Sequence, residues 1–489
     1  MVRRVRDFVY RALLKALAPP EGGDALPREA IARARLAVPR RGIELADLLG
    51  RPAVNLDTPE LQRFLAGKRV LVTGAGGSIG SEICRQMMRF CPERVLLVER
   101  AENNLFEIDR ELRQNWVGAD VRPYIADVCD ARRITQIFQS EKPHVVFHCA
   151  AHKHVPMMEH NPCEAIKNNV FGTKTAADAA LAAGAAAFVL ISTDKAVNPS
   201  SVMGASKRFA ELYVQSLNGD EGRGDAGTRG RGEGEDDCKL QIAKCKLQID
   251  GEATPAAPQF EISNLQFAIC NPPSSLPASH RPRVPASSSP RTRFLAVRFG
   301  NVLGSSGSVV PIFQKQIEAG GPVTVTHPEM KRYFMTIPEA SQLVMQAGAI
   351  GKGDEIFVLD MGQPIRILDL AQELIRRNGL RPGDDILVNF TGVRPGEKLY
   401  EELSNDDEQT RPTAHEKIRV WQLPPANPQQ VARGLEVLHA ATQGTAHDAM
   451  KALMACVPEF RPGGKAAATS APAESIPPLR IVPADAQAA

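Results

Sequence analysis

Short runs of apolar residues alternate with longer helical patterns through much of the chain. Strand-like runs occur at Arg69–Thr73, Arg94–Val98, Val121–Ala126, His144–Cys149, Ala187–Ile191, Phe294–Arg298 and Glu355–Leu359. Helical patterns occur at Ser81–Phe90, Asn161–Ala183 and Ser308–Ala319. Most of these strand runs lack regular polar alternation, which is typical of parallel strands buried on both faces of a sheet. Strands that alternate with helices predict an α/β fold with a doubly wound parallel sheet.

A glycine-rich turn joins the first predicted strand to the first helix. Gly74, Gly77 and Gly80 form a G-x-x-G-x-x-G pattern there. Such glycines let the backbone approach a pyrophosphate, whose charge faces the helix N-terminus. The second strand runs into Glu99, about 20 residues beyond the last glycine, where a ribose 2′-hydroxyl is usually bound. Glu99 favours NAD, whereas the neighbouring Arg100 would suit a 2′-phosphate and leaves NADP open.

The strand Ala187–Ile191 ends in a group of chemically capable side chains. Ser192–Lys195 supplies two hydroxyls, a carboxylate and an amine. Met203 and Lys207 follow at a spacing of four, on one face of the next predicted helix. Ligands of open α/β sheets bind beyond the carboxyl ends of strands. The sequence therefore predicts a reactive site at this strand end.

Composition narrows the class of protein. The net charge of +3 over 489 residues does not favour nucleic-acid binding. Nine cysteines lie without C-x-x-C pairs, which indicates reduced thiols in a cytoplasmic protein. His152 and His154 have no third ligand nearby in sequence, so no metal site is predicted. The basic amphipathic pattern of Met1–Leu17 is compatible with the inner face of a membrane or with packing on the body.

Several longer motifs carry a family resemblance. They are Thr73-Gly74-x-x-Gly77-x-x-Gly80, Ala150–Ala151, Asn169-x-x-Gly172-Thr173, Ala151–Pro156 and Ser192-Thr193-Asp194-Lys195-Ala196. Together they resemble the extended short-chain dehydrogenase/reductases. More narrowly, they resemble the UDP-N-acetylglucosamine 4,6-dehydratases, lyases of capsule and O-antigen polysaccharide biosynthesis. The resemblance covers residues 42–218 and 293–462, and it implies NAD, a UDP-sugar substrate and a homo-oligomer.

The resemblance and the composition divide the chain into five parts. They are a basic arm and linker at 1–66, an NAD(P)-binding Rossmann domain at 67–218 plus 294–320, an insertion at 219–293, a lobe at 321–462 that mainly binds nucleotide-sugar, and a tail at 463–489. The insertion and the tail are rich in Gly, Pro, Ser or charged residues and are predicted to be disordered.

The resemblance also assigns contacts. Cofactor contacts are expected at Thr73, Gly74, Gly77, Ser78, Ile79, Gly80, Glu99, Arg100, Asp127, Val128, Ala150, Ala151, Lys153, Asn169, Ser192 and Lys207. Substrate contacts are expected at His152, Lys195, Asn301, Ser308, Arg332, Arg394 and Glu397. A guanidinium fork matches phosphate oxygens, so Arg332 and Arg394 are expected to clamp the diphosphate.

The implied reaction needs a base at O4, a base at C5 and an acid at O6 of the sugar. By resemblance, Lys195 is the C5 base, Asp194 is the acid at O6 and Thr193 hydrogen-bonds near O4. An acid that donates near neutral pH needs a raised pKa, which burial of Asp194 would supply and a charged Lys195 would oppose. Lys207 is expected to hold the nicotinamide ribose.

Two departures from the family pattern keep alternatives open. Most of the superfamily has tyrosine where Met203 stands, and a thioether cannot transfer a proton. One branch of the dehydratases shares the methionine, so the O4 base is left to Thr193, Asp194 or a water relay. That branch usually carries transmembrane helices, so this chain is either a short soluble form or one held by Met1–Leu17. A 4-epimerase, a dehydratase that inverts C5, and a non-catalytic binding subunit are the competing interpretations.

Overall fold

A computed structural model describes residues 58–218, 291–402, 410–421 and 426–463 of the protein, and all of these belong to one compact unit. The predicted helix Met1–Leu17, nearly all of the insertion and nearly all of the tail lie outside the described residues. No helix within the described ranges is long and apolar enough to cross a membrane.

The strands are β1 (Arg69–Thr73), β2 (Arg94–Glu99), β3 (Val121–Ile125), β4 (Val145–His148), β5 (Ala187–Ile191), β6 (Arg293–Arg298), β7 (Asn301–Val302), β8 (Val323–Val325), β9 (Lys331–Arg332), β10 (Phe334–Met335), β11 (Ile356–Leu359), β12 (Ile365–Arg366), β13 (Val388–Phe390), β14 (Thr410–Pro412) and β15 (Ile418–Trp421). The helices are α1 (Pro59–Leu65), α2 (Ser78–Met87), α3 (Glu102–Asn115), α4 (Ala131–Glu141), α5 (Val155–His160), α6 (Pro162–Ala165), α7 (Gly172–Ala182), α8 (Val202–Ser216), α9 (Val309–Glu318), α10 (Ile337–Ile350), α11 (Ile367–Arg377), α12 (Pro428–Ala441) and α13 (Ala446–Cys456).

A nine-stranded sheet forms the centre, in the order β14-β15-β11-β6-β5-β4-β1-β2-β3. The run from β11 to β3 is parallel, and β15 and β14 add an antiparallel edge. Alternate residues of β1 pack on opposite faces of the sheet, since Leu71 lies in one buried apolar cluster and Val70 and Val72 lie in the other. The predicted doubly wound α/β fold is thereby confirmed. β2 and β3 are added on one side of β1, and β4 and β5 on the other, so the strand order switches direction between β1 and β4. Sheets of this kind bind nucleotides at that switch point.

The helix predicted at Asn161–Ala183 is confirmed from Pro162 to Ala182, but its backbone hydrogen bonding changes along the way. The short α6 passes into a π-helical turn at Ile166–Phe171, and α7 follows. The Asn169 side chain in this turn bonds both backbone groups of His152, through Oδ1 at 2.8 Å and Nδ2 at 3.0 Å. Wide turns of this kind inside helices are frequent at functional sites, and this one fixes the segment after β4.

The central sheet extends beyond the expected domain boundary. β11, β14 and β15 join it, although they come from the region assigned mainly to sugar binding. The residues of β11 are all buried, as a central strand requires. The smaller lobe consists of α9, α11 and short strand pairs around a third apolar cluster that includes Phe313, Phe334 and Leu374.

The chain ends that flank the insertion are bonded to each other. Asn218 follows α8, and its side-chain amide donates to the Phe294 carbonyl at 3.0 Å. The Asn218 Oδ1 atom accepts from the Phe294 N–H, also at 3.0 Å. Phe294 is the second residue of β6, and the preceding residue, Arg293, pairs with Ala187 at the start of β5. The two described chain ends that border the insertion therefore meet at the amino edge of the sheet.

Candidate active site

The glycine turn lies directly against the end of β4. Gly74 has a φ of +65°, and a Cβ there would lie 2.8 Å from the Ala150 nitrogen. A Cβ on Gly80 would lie 2.1 Å from the Gly74 carbonyl oxygen. Neither position tolerates a side chain in this arrangement. The helix α2 begins at Ser78, inside the glycine pattern and earlier than predicted, so its free N–H groups start at the turn itself.

A cleft opens beside this turn at the carboxyl ends of β1, β2 and β4. It is lined by Gly74, Gly77, Val98, Glu99, Arg100, Asn104, Ala126, Asp127, Val128, Cys149, Ala150, Ala151, His152 and Asn168. Glu99 is held by N–H groups of Gly76, Arg100 and Ala101 at 2.9 to 3.1 Å. The Arg100 guanidinium is largely exposed and lies 3.5 Å from Asp127. Glu99, which favours NAD, and Arg100, which would suit NADP, therefore line the same cleft.

Other predicted cofactor residues support the cleft from behind. The buried His148 ring lies between the hydroxyls of Thr73, at 2.9 Å, and Thr173, at 3.1 Å. Burial first, and Lys207 second, lower the pKa of His148 to about 3, so the ring is neutral at pH 7. Ser192 donates to Glu211 at 2.6 Å. The side-chain partners observed for Thr73 and Ser192 are therefore structural, and their cofactor contacts stay predictions.

Lys207 presents a buried amine without a hydrogen-bond partner. Its side chain is almost fully enclosed, and Nζ meets no acceptor among the residues that the structure describes. Burial lowers the pKa of Lys207 to about 8, partly opposed by Glu211 and Cys149. A buried donor normally has a partner, so this one fits a hydroxyl of a bound ligand such as a ribose. Met203, one helical turn earlier, is buried in the apolar core.

The side chains after β5 form a hydrogen-bonded cluster. Asp194 Oδ1 accepts from Thr193 Oγ1 at 2.9 Å and from Lys195 Nζ at 3.0 Å. Lys195 Nζ also donates to Asn301 Oδ1 at 3.0 Å. A Cβ on Gly300 would lie 2.9 Å from Asp194 Oδ2, so only glycine leaves room for this carboxylate. The structure thus brings together four of the residues singled out from the sequence.

Glu401 completes the cluster, and sequence reasoning missed it. Its Oε1 atom lies 2.9 Å from Lys195 Nζ and 3.0 Å from Arg332 Nε. The side chain is only 4% exposed. Glu401 and Glu402 follow the segment that carries Arg394, and nothing in the pattern distinguishes the buried acid from its exposed neighbour. Only its contacts with Lys195 and Arg332, which are distant in sequence, identify Glu401 as part of the site.

Arg332 is committed to this cluster. Besides Glu401, its guanidinium donates to the carbonyls of Lys331, Lys398 and Leu399 at 2.7 to 3.1 Å. It therefore anchors Glu401, and its contact with a diphosphate stays a prediction. Arg394 is 55% exposed and lies 4.0 Å from Glu397, so its guanidinium is the more accessible of the two.

The cluster sets three pKa values in different directions. Burial alone would raise the pKa of Asp194, but Lys195 and hydrogen bonds outweigh it and lower the value. Of the two opposing effects expected for the pKa of Asp194, the charge of Lys195, together with the hydrogen bonds, therefore outweighs burial. Burial would lower the pKa of Lys195, but Asp194 and Glu401 outweigh it and raise the value. Burial and then Asp194 raise the pKa of Glu401 to about 7.

The Gly/Ser loop before α9 reaches across to the glycine turn. The Ser306 N–H donates to Ser78 Oγ at 3.1 Å. A Cβ on Gly307 would lie 2.6 Å from the His154 ring. Ser308, a predicted substrate residue, precedes α9 and has a buried hydroxyl without a partner in the described ranges. The same ranges contain no group of three or more His, Cys, Asp or Glu side chains suited to a metal ion.

The fold and the site define an α/β protein with a doubly wound sheet and a glycine-rich turn at the position where such sheets bind nucleotides. Residues 70–229 and 282–423 match the family model described as "Polysaccharide biosynthesis protein". The chain belongs to this polysaccharide biosynthesis family, as its motifs predicted. The match skips residues 230–281, which lie within the insertion identified from composition.

Known relatives agree with this placement. The chain is 47% identical over 377 residues to the capsular polysaccharide biosynthesis protein CapD of Staphylococcus aureus, covering 77% of this chain and 51% of that one. It is 27% identical to an inverting UDP-N-acetylglucosamine 4,6-dehydratase of Campylobacter jejuni, covering 70% and 79%. The X-ray structure of Pen from Bacillus thuringiensis matches with 29% identity and a TM-score of 0.55, covering 74% and 90%. The chain spans about half the length of CapD and of its Bacillus subtilis counterpart EpsC.

Proposed function

We propose that the protein is a nucleotide-sugar 4,6-dehydratase that converts a UDP-N-acetylhexosamine into its 4-keto-6-deoxy derivative for surface polysaccharide biosynthesis. The observation that carries this proposal is the Thr193-Asp194-Lys195 cluster at the end of β5, with a carboxylate and an amine 3.0 Å apart. A 4-epimerase moves only a hydride and the O4 proton, so it has no use for this acid and amine. Family membership and the dehydratase relative support the same proposal.

The site fits a nicotinamide dinucleotide, with NAD preferred because Glu99 is fixed in the cleft. The bound cofactor would accept a hydride from sugar C4 and return it to C6. The glycine turn and the start of α2 would hold its pyrophosphate. The unpaired Lys207 ammonium would bond a ribose hydroxyl. Lys207 would also add positive charge near the reacting centre, which helps to stabilise an oxyanion.

The protein's own groups would move the protons. The ketone formed at C4 makes the C5 proton acidic, and Lys195 would remove that proton and later return it. Asp194 would take the proton released from O4 and deliver it to O6 as the C6–O bond breaks, so that water leaves. Lys195 would act as the neutral amine, so its own ammonium proton must be released to solvent before the sugar reacts, although Asp194 and Glu401 within 3.0 Å favour the charged form. Thr193, bonded to Asp194, would contact O4, whereas the buried thioether of Met203 transfers no proton.

The first test is turnover of UDP-N-acetylglucosamine by the full-length protein in deuterated water. A product lighter by one water, with deuterium at C5 by mass spectrometry and NMR, is the expected result. The C5 configuration then distinguishes retention from inversion. A product of unchanged mass that differs only at C4 would replace the proposal with a 4-epimerase. Bound NAD without turnover of any UDP-sugar would favour a binding subunit. Self-association and membrane contact stay predictions.

A further inference from the structure

Two carboxylate oxygens in the cluster are buried without a hydrogen-bond donor among the described residues. They are Asp194 Oδ2 and Glu401 Oε2. The two carboxyl groups are neighbours around one cation, since Lys195 Nζ lies 3.0 Å from Asp194 Oδ1 and 2.9 Å from Glu401 Oε1. Ionised carboxylates only accept hydrogen bonds, so two neighbouring carboxylates that each lack a donor repel each other, and one proton shared by the pair would relieve both deficits.

The surroundings hold this pair in place. The Oε1 atom of Glu401 forms ion pairs with both Lys195 and Arg332. Arg332 is itself fixed by three backbone carbonyls, so Glu401 has little freedom to turn away. On the side of Asp194, Gly300 packs against Oδ2, where a Cβ would lie only 2.9 Å away. One oxygen of each acid is therefore bonded, and the other oxygen of each is buried without a donor among the described residues.

We propose that Asp194 and Glu401 form a carboxyl pair that gains and loses one shared proton, and that Glu401 is the member that holds it. Glu401 acts through Asp194, so it is a positioning residue and not one that touches the sugar. The raised pKa of Glu401, about 7, supports this because such a pair is half-protonated near neutral pH. Asp194, Lys195 and Arg332 are the charged groups that face Glu401 and set that value.

The shared proton gives the pair a place in the dehydration, and this part rests on the proposed function. When hydride leaves C4, the O4–H bond breaks and its proton passes to the pair. When the C6–O bond breaks, the same proton joins O6 and departs with it as water. The C5 proton is removed and returned separately, so the pair ends each cycle as it began. Two carboxyl groups would thereby do the work of the tyrosine that Met203 replaces.

The first experiment needs no turnover. Infrared difference spectra of the full-length protein with NAD bound are recorded against pH for the wild type and for Glu401→Gln, Asp194→Asn and Glu402→Gln. Glu402 is the matched control, since it is exposed and pairs with Lys398. We expect a buried carboxylic-acid band that titrates near pH 7, that disappears in the first two variants and that persists in the control. Its absence from the wild type, or its persistence in Glu401→Gln, would overturn the shared proton.

The second experiment measures turnover against pH. We expect Glu401→Gln to lower kcat by about 10²-fold or more, with a much smaller change in KM, and to remove the ionisation near pH 7 from the kcat profile. Glu401→Asp keeps the carboxyl group, so it keeps the test informative if Glu401→Gln fails to fold. It should retain part of the activity, with a shifted pH profile of kcat. Wild-type kcat and an unchanged profile in Glu401→Gln would refute the role. A wild type without dehydratase activity would refute the proposed function and leave the infrared result standing.

Discussion

Two buried glutamates flank the end of β5, and their surroundings differ in one respect. Glu211 has both oxygens bonded, to Arg298 on each oxygen, to Ser192 on one and to Arg208 on the other. Burial would raise the pKa of Glu211, but Arg298 and the other partners outweigh it and lower the value. Glu401 also faces two cations, yet both bind the same oxygen, and the second oxygen has no donor among the residues that the structure describes.

This difference separates a structural ion pair from a chemical one. A buried charge whose hydrogen bonds are complete is locked in one protonation state and supports the fold. A buried acid with one oxygen left open can change its protonation state near neutral pH, which proton transfer requires. Ser192 and Asp194 stand two positions apart in sequence but belong to different clusters. The side chains after β5 are thus divided between a cluster that supports the fold and one that we propose takes part in the reaction.

The largest effect is expected for Asp194→Asn. The amide cannot carry the proton to O6, so we expect kcat to fall by about 10³-fold, within the range for lost acid–base catalysis. The unfolding curve should remain cooperative, which shows that the fold survives. Asp384→Asn, at an exposed surface pair, is the control and should keep full activity. Turnover of Asp194→Asn within tenfold of the wild type would remove Asp194 from the mechanism.

Glu211→Gln tests the structural cluster. It leaves the buried Arg298 without its counter-charge, and such losses destabilise proteins by about 3–5 kcal/mol. We expect this decrease in the free energy of unfolding in urea, with a smaller loss of turnover at low temperature than in Asp194→Asn. Glu107→Gln, on the exposed face of α3, should change neither quantity. A stable but inactive Glu211→Gln would mean that the two clusters are not separable.

Lys207→Met should stabilise the cofactor-free protein while it abolishes NAD binding. Because the pKa of the folded Lys207 is about 8, below its ordinary value, the buried ammonium destabilises the fold by up to about 3 kcal/mol. The gain from methionine should be complete below about pH 8 and vanish as the folded lysine deprotonates at higher pH. Urea unfolding at several pH values and NAD titration measure both effects. Lys451→Met, on the surface of α13, should alter neither, and a destabilised Lys207→Met would show that the amine has a native partner.

Sequence patterns predicted the parts of the site that depend on local chemistry. The glycine turn required Gly74 and Gly80 for contacts within a few residues and with the adjoining strand, and the position of Asp194 followed from the end of β5. The partner of Asp194 did not follow, because Glu401 arrives from a distant loop and resembles a solvated acid in sequence. The loop carbonyls that bind the Arg332 guanidinium were not visible in sequence either, and its contact with phosphate stays a prediction.

The helix predicted at Asn161–Ala183 shows a second limit. Its apolar spacing fits the helix that is found, but the helix widens into a π-helical turn at Ile166–Phe171, where the Asn169 side chain bonds the backbone of His152. Periodicity reports which face of a segment is buried. It does not report a hydrogen bond to a neighbouring loop, so the π-helical turn and its bonds to the segment after β4 were not predicted.

The pair of bonds between Asn218 and Phe294 has a consequence for how this gene can change. Those bonds join α8 to β6 at the amino edge of the sheet, so groups of the body itself hold these two chain ends together. The entropy of closing a loop grows only slowly with its length. Selection on folding and on the reaction therefore acts weakly on the amount of chain gained or lost between these two residues. The same property makes this point a natural position for grafting a reporter or a tether.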